Sequence, residues 1–228
     1  MYYWSDIFYV LTLILFVVSL ICSGIVKSRF KTYSKEPTRS GMTGAMAAER
    51  ILRANGITDV TIVQTQGTLT DNYNPANHTL NLSQPVYGGQ NVSAVAVAAH
   101  ECGHAIQHAQ AYPLLMLRKA LVPICNIGSI GSYIAILLGL FFSRSGLITL
   151  GAVLFSGIVL FNLVTLPVEV DASRRAMAEV DRLGLLTDEE RIGGRKVLFA
   201  AGMTYFISLM TSIVQLLRLL SIANSRRR

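Results

Sequence analysis

Two histidines four residues apart, His100 and His104, stand with Glu101 in the run Ala98-Ala99-His100-Glu101-Cys102-Gly103-His104. On a helix, residues i and i+4 lie on one face, about one turn apart. Two imidazole nitrogens on that face can grip one Zn²⁺ at about 2.0–2.1 Å each. Glu101 lies roughly 100° around the helix from His100. It stands beside the ion rather than on it, where it can take a proton from a water activated there. The pattern supplies two ligands and a general base, the core of a zinc hydrolase. Val95, Ala96, Val97, Ala98 and Ala99 make an apolar, closely packing helix before it. Gly103 leaves no side chain near the motif.

Two neighbours are weighed against this set. Cys102 sits about 200° from His100 and reads as a small core residue. His108 repeats the i+4 spacing but lies about 12 Å along the axis from His100, too far to share one ion. It reads as a site-rim or packing residue, so the third ligand must come from elsewhere.

The chain has 228 residues, 52% hydrophobic and 14% charged, with a mean hydropathy of +0.47. Charge this sparse and apolar runs this long point to a membrane protein. The net charge of +7 then reports topology and contact with lipid headgroups. No nucleic-acid motif is present. Three scattered cysteines imply no disulfide framework. No residue pattern sets an oligomeric state.

Residues 4–26 form the first apolar run, long enough to span a bilayer, with Tyr2, Tyr3 and Trp4 as an interfacial cluster. Lys27, Arg29, Lys31, Lys35 and Arg39 follow, which puts that side in the cytoplasm. Residues 42–55 read as an amphipathic helix closed by Gly56. Residues 58–65 alternate as a strand. Residues 69–83 read as a hairpin whose turn holds Asn72, Asn74, Pro75, Ala76 and Asn77. Residues 84–90 read as a loop, and the motif helix begins at Ser93. Residues 79–83 are expected to set a strand edge beside the metal, where an extended peptide could add. Residues 121–142 and 146–166 are two further spans, joined by Ser143, Arg144 and Ser145. This hairpin returns the chain to the side that carries His100.

The next polar stretch opens with Pro167, suited to the first turn of a helix. Glu169 is its first carboxylate, at the foot of an apolar span, and is chosen as the third ligand. Asp171 is the rival. It lies about 200° from Glu169, so only one of the two can face the metal. Otherwise both acids are interfacial partners of Arg174 and Arg175. Thr187 to Glu190 form a capping box. Residues 197–222 are a fourth apolar run. If it crosses, Arg226, Arg227 and Arg228 end outside, against the charge rule, and Arg218 within the run adds to that conflict. Tyr205 is an oxyanion candidate against a plain interfacial role.

The motif, followed by Glu169-Val-Asp-Ala-Ser-Arg-Arg-Ala and preceded by Leu69-Thr-Asp-Asn-Tyr-Asn-Pro75 and residues 80–87, resembles the YugP-type neutral zinc metallopeptidases of bacterial membranes. The resemblance covers nearly the whole chain. In the wider gluzincin peptidases, HtpX-type membrane proteases among them, His, His and Glu bind zinc. That implies His100, His104 and Glu169 as ligands here and Glu101 as the base. Those relatives often carry Asp four residues after the ligand Glu, where it orients a ligand histidine. Ser173 stands there in this chain. It can accept a hydrogen bond but brings no charge, so the support is weaker or differently built.

The reading is a mostly α integral membrane protein with about four transmembrane helices and a small α+β, gluzincin-like catalytic region containing a strand hairpin. Residues 1–39 are an anchor with its basic segment, 40–112 the catalytic region and 113–166 a transmembrane hairpin. Residues 167–196 carry the third ligand, and 197–228 form a last apolar helix with a basic tail. The expected activity is zinc-dependent peptide hydrolysis at the cytoplasmic face of a bacterial plasma membrane, on protein or peptide substrates. The alternative is a non-proteolytic, zinc-stabilised adaptor, which needs ligands but no base. A transporter fits less well, since the first three spans carry almost no ionisable groups.

Overall fold

The computed structural model describes residues 2–225, with side chains from Ile7 onward. The cluster Tyr2, Tyr3 and Trp4 and the tail Arg226, Arg227 and Arg228 therefore lie outside the described side chains. In chain order the elements are α1 (Tyr2–Tyr33), α2 (Gly44–Ala54), β1 (Thr61–Thr65), β2 (Asn72–Asn74), β3 (Thr79–Ser83), α3 (Gln84–Tyr87), α4 (Val92–Ala109), α5 (Pro113–Phe141), α6 (Ser145–Arg182) and α7 (Asp188–Ser225). The fold is mostly α with one small sheet. It divides into two compact units, the first of Met1–Cys22, Met116–Pro167 and Thr204–Arg228, the second of Ser23–Leu115 and Val168–Met203.

The first unit is built from helices long and apolar enough to cross a membrane. Four such helices occur among the described residues, 27 to 38 residues long. Their outer faces are apolar: Ile127 is 76% exposed and Phe141 82%. A surface of this kind is stable against lipid and costly in water. Inside the unit, Ala152 and Phe155 of α6 cluster with Leu216 and Leu219 of α7. Asn162 donates to the Ser208 carbonyl at 3.5 Å. These pairs make α6 and α7 antiparallel, so the end of α7 lies level with the start of α6. The Arg218 guanidinium sits 4.0 Å from the centre of the Tyr9 ring, which brings the beginning of α1 to the same level. Arg218 thus has an aromatic partner near a helix end, a usual resting place for a cation on an apolar helix.

The second unit has a conventional core. Ala47, Ala48, Ile51 and Leu52 of α2 and Leu80 and Leu82 of β3 close on α4. Thr43 caps α2 by accepting from the Met46 amide. Gly56, at φ +69°, supplies the left-handed turn that ends it. The capping box at α7 is formed: the Thr187 amide donates to Glu190 at 2.8 Å, and the Glu190 amide to the Thr187 hydroxyl at 3.4 Å.

Four local expectations change. Asn72 and Asn74 belong to a strand, and the turn falls on Pro75 to His78. Residues 84–87 are a short helix, not a loop, with Pro85 in its first turn. Pro167 lies inside α6 rather than at a helix start; membrane helices tolerate internal proline because neighbours satisfy the freed backbone. The sheet order is β1-β3-β2, with β3 parallel to β1 and antiparallel to β2. β3 is therefore the central strand, paired along its length by β1 and over Thr79–Asn81 by β2, with the Ser83 amide bound to Asp71. A peptide cannot add to residues 79–83, and the edge-strand expectation for them fails.

Candidate metal centre

Helix α4 is buried nearly all round, which its alanines make possible. Ala94, Ala96, Ala98, Ala99 and Cys102 are fully buried, as expected of a helix apolar on every side. Asn91 caps it, its side chain accepting from the Ala94 amide at 2.9 Å. Gly103 lets α6 approach: a Cβ there would collide with the Ala172 carbonyl oxygen. This close crossing sets Glu169 opposite the histidine face of α4.

The result is a convergence of three donors. Glu169, 2% exposed, places its Oε2 3.3 Å from His100 Nε2 and 3.5 Å from His104 Nε2. All three donor atoms lie within 4.8 Å of one another, the one such group of His, Cys, Asp or Glu among the described residues. Four donors placed tetrahedrally at about 2.0–2.1 Å from an ion stand about 3.3–3.4 Å apart, close to the two separations from Glu169. The other ring nitrogens are engaged: Ser173 Oγ is 3.1 Å from His100 Nδ1 and Gln107 Oε1 is 3.0 Å from His104 Nδ1. Each Nε2 is thus the nitrogen turned toward Glu169. Two imidazoles and a carboxylate with supported outer nitrogens are a donor set that suits Zn²⁺.

Glu101 is 8% exposed. Burial holds its carboxyl above the usual carboxylate range; His100 and His104 oppose that shift, while Glu169 and Asp71 add to it. A base poised upward in this way is better matched to taking a proton near neutral pH. Asp71 itself is held by Ser83, whose amide donates at 2.7 Å and hydroxyl at 3.0 Å.

Asp171 is turned away from the histidines. It accepts from Arg174 at 2.6 Å, from Arg175, and from Gln107 Nε2 at 3.0 Å. Glu169, a half-turn away on α6, is the carboxylate that faces the two histidines. Cys102 points into the core, its thiol 3.7 Å from the Ala48 carbonyl. His108 lies off the triad, with its Nδ1 2.8 Å from the Tyr73 hydroxyl. Tyr205 lies on α7, in the part of that helix that belongs to the first unit. Sequence reasoning missed Gln107, a fully buried amide. Its one local signal is a polar side chain three residues past His104 in an apolar stretch.

Comparison with known proteins agrees with this chemistry. The family model described as "Putative neutral zinc metallopeptidase" matches residues 8–224. A Bacillus subtilis (strain 168) protein named "Putative membrane protease YugP" is 44% identical over 197 residues, covering 86% of this chain and 88% of that relative. No solved structure matches the chain. With the match running through almost all of its length, the chain belongs to the neutral zinc metallopeptidase family so described.

Proposed function

We propose that this chain is a membrane-anchored zinc endopeptidase, with His100, His104 and Glu169 as its metal ligands and Glu101 as its general base. The observation that carries the reading is a buried carboxylate, Glu101, beside a group of three donors, with no fourth His, Cys, Asp or Glu in that group among the described residues. A closed structural site has four protein ligands and no use for a base. Zn²⁺ bound by the triad would polarise a peptide carbonyl and acidify a water beside it. Glu101 accepts the proton from that water and delivers it to the nitrogen of the leaving amine. Ser173 and Gln107 keep the two rings oriented. The adaptor alternative leaves the buried position of Glu101 without a purpose. Hydrolysis of a casein-type substrate by the purified protein is expected to stop when 1,10-phenanthroline strips the metal and to return with added Zn²⁺. Hydrolysis that survives complete metal removal would overturn the reading.

The active site is assigned to the cytoplasmic face of a bacterial plasma membrane. Lys27, Arg29, Lys31, Lys35 and Arg39 follow α1's apolar run, Arg118 and Lys119 lie near the start of α5, and Arg174, Arg175, Arg191, Arg195 and Lys196 fall between the last two runs. With four crossings this basic set shares one side. The opposite side receives Arg144 and the short arginine tail. The positive-inside rule favours the larger set in the cytoplasm, where each cation near anionic headgroups contributes about 1 kcal/mol. Substrates are then cytoplasmic peptides or the cytoplasmic ends of membrane proteins. Single cysteines at Thr68, exposed between β1 and β2, and at Ser145, in a chain whose own cysteines are replaced by alanine, test the orientation. An impermeant maleimide on intact cells should label position 145 and spare position 68; labelling at position 68 alone reverses the topology.

A further inference from the structure

Gln107 is a fully buried amide with three hydrogen-bond contacts, one within α4 and two to α6. Its Oε1 lies 3.0 Å from His104 Nδ1. Its Nε2 donates to the Val168 carbonyl at 2.8 Å and to Asp171 Oδ2 at 3.0 Å. A carbonyl and a carboxylate only accept, so the amide nitrogen must face them. The amide oxygen is thereby forced toward His104, where it can only accept. We propose that Gln107 is a positioning residue that locks His104 in the tautomer protonated at Nδ1, leaving the Nε2 lone pair for the metal.

The lock is anchored from behind. Asp171 is gripped by Arg174 and Arg175. Arg175 also donates to Gln110 Oε1 and lies over the Tyr112 ring, 5.6 Å from its centre. The anchor thus returns to the chain just past α4, and the amide cannot rotate without breaking bonds to both helices. Asp171 reaches His104 only through Gln107. A role therefore falls to the carboxylate that loses the competition for the metal: it holds the amide that holds the ligand.

The inference rests on His104 being a zinc ligand, and the test separates the two. Zn²⁺ affinity is measured on the metal-free, detergent-solubilised protein by competition with a chromophoric chelator, alongside thermal melting of the metal-free form. Gln107→Met, which keeps the volume and loses every bond, is expected to weaken Zn²⁺ binding about 10- to 100-fold. Asp171→Ala should weaken it in the same direction by less. The double variant should match Gln107→Met alone within about twofold, because both act through one chain of contacts. A purely structural role would lower the melting temperature and leave affinity in place. Affinity unchanged in Gln107→Met, or two losses that multiply, overturns the inference. If Gln107→Met does not fold, unchanged affinity in Asp171→Ala overturns it. A wild type that takes up no Zn²⁺, or a His104→Ala variant that keeps it, overturns the reading of the site and the inference with it.

Discussion

Glu101→Gln should lower peptide hydrolysis by about 10²–10⁴-fold, the usual contribution of a positioned general base. The amide keeps the shape of the carboxylate and cannot take up the proton. Glu101 is buried among neighbours that tolerate little change in volume, since Cys102 and Gly103 beside it on α4 are closely packed. The substitution conserves that volume, so the fold and the three donors should remain. Zinc content should stay at one equivalent while turnover falls, a loss of about 3–5 kcal/mol of transition-state stabilisation. Both quantities must be read on the same preparation. Activity near that of wild type in a zinc-loaded variant would remove Glu101 from the mechanism.

The second large effect separates two neighbouring carboxylates. Glu169→Ala removes an oxygen that lies 3.3 and 3.5 Å from His100 Nε2 and His104 Nε2. Loss of an outer support typically costs 10–100-fold in metal affinity, and loss of a donor on the ion should exceed about 100-fold. Zinc measured after dialysis against trace metal should therefore drop to a small fraction of an equivalent. Asp171→Ala should keep near-stoichiometric zinc when metal is supplied in excess, because its oxygens are spent on Arg174, Arg175 and Gln107. The reverse pattern would reassign the ligand. Asp171→Ala also forfeits hydrogen bonds, three of them, so lost hydrogen bonding alone does not set the two variants apart. The asymmetry is thus specific to metal binding.

The helix carrying His100 and His104 was legible because its information is local: an i, i+4 pair and the apolar run before it lie within residues 95–104. Glu169 was legible for a different reason, since a carboxylate at the foot of an apolar run is costly without a task. Gln107 was not legible. Its meaning depends on Val168 and Asp171, more than sixty residues away and on another helix. The sheet divided in the same way. The antiparallel pairing of β2 with β3 follows from a short turn. The parallel pairing of β1 with β3 joins strands that β2 separates in the sequence, and it is what makes β3 central. Pro167 misled because proline most often marks a helix start. Within α6, packing and the apolar surroundings outweigh that preference.

Because His100, His104 and Glu169 all lie in the second unit, the account's central claim can be tested by counting. Metal-free wild-type protein in detergent is titrated with Zn²⁺, and bound metal and peptide hydrolysis are followed in the same samples. The account predicts that hydrolysis rises in proportion to bound zinc and breaks sharply at one equivalent per chain. Hydrolysis at full rate before zinc is added, or one equivalent bound with no cleavage of any protein substrate tried, would contradict it.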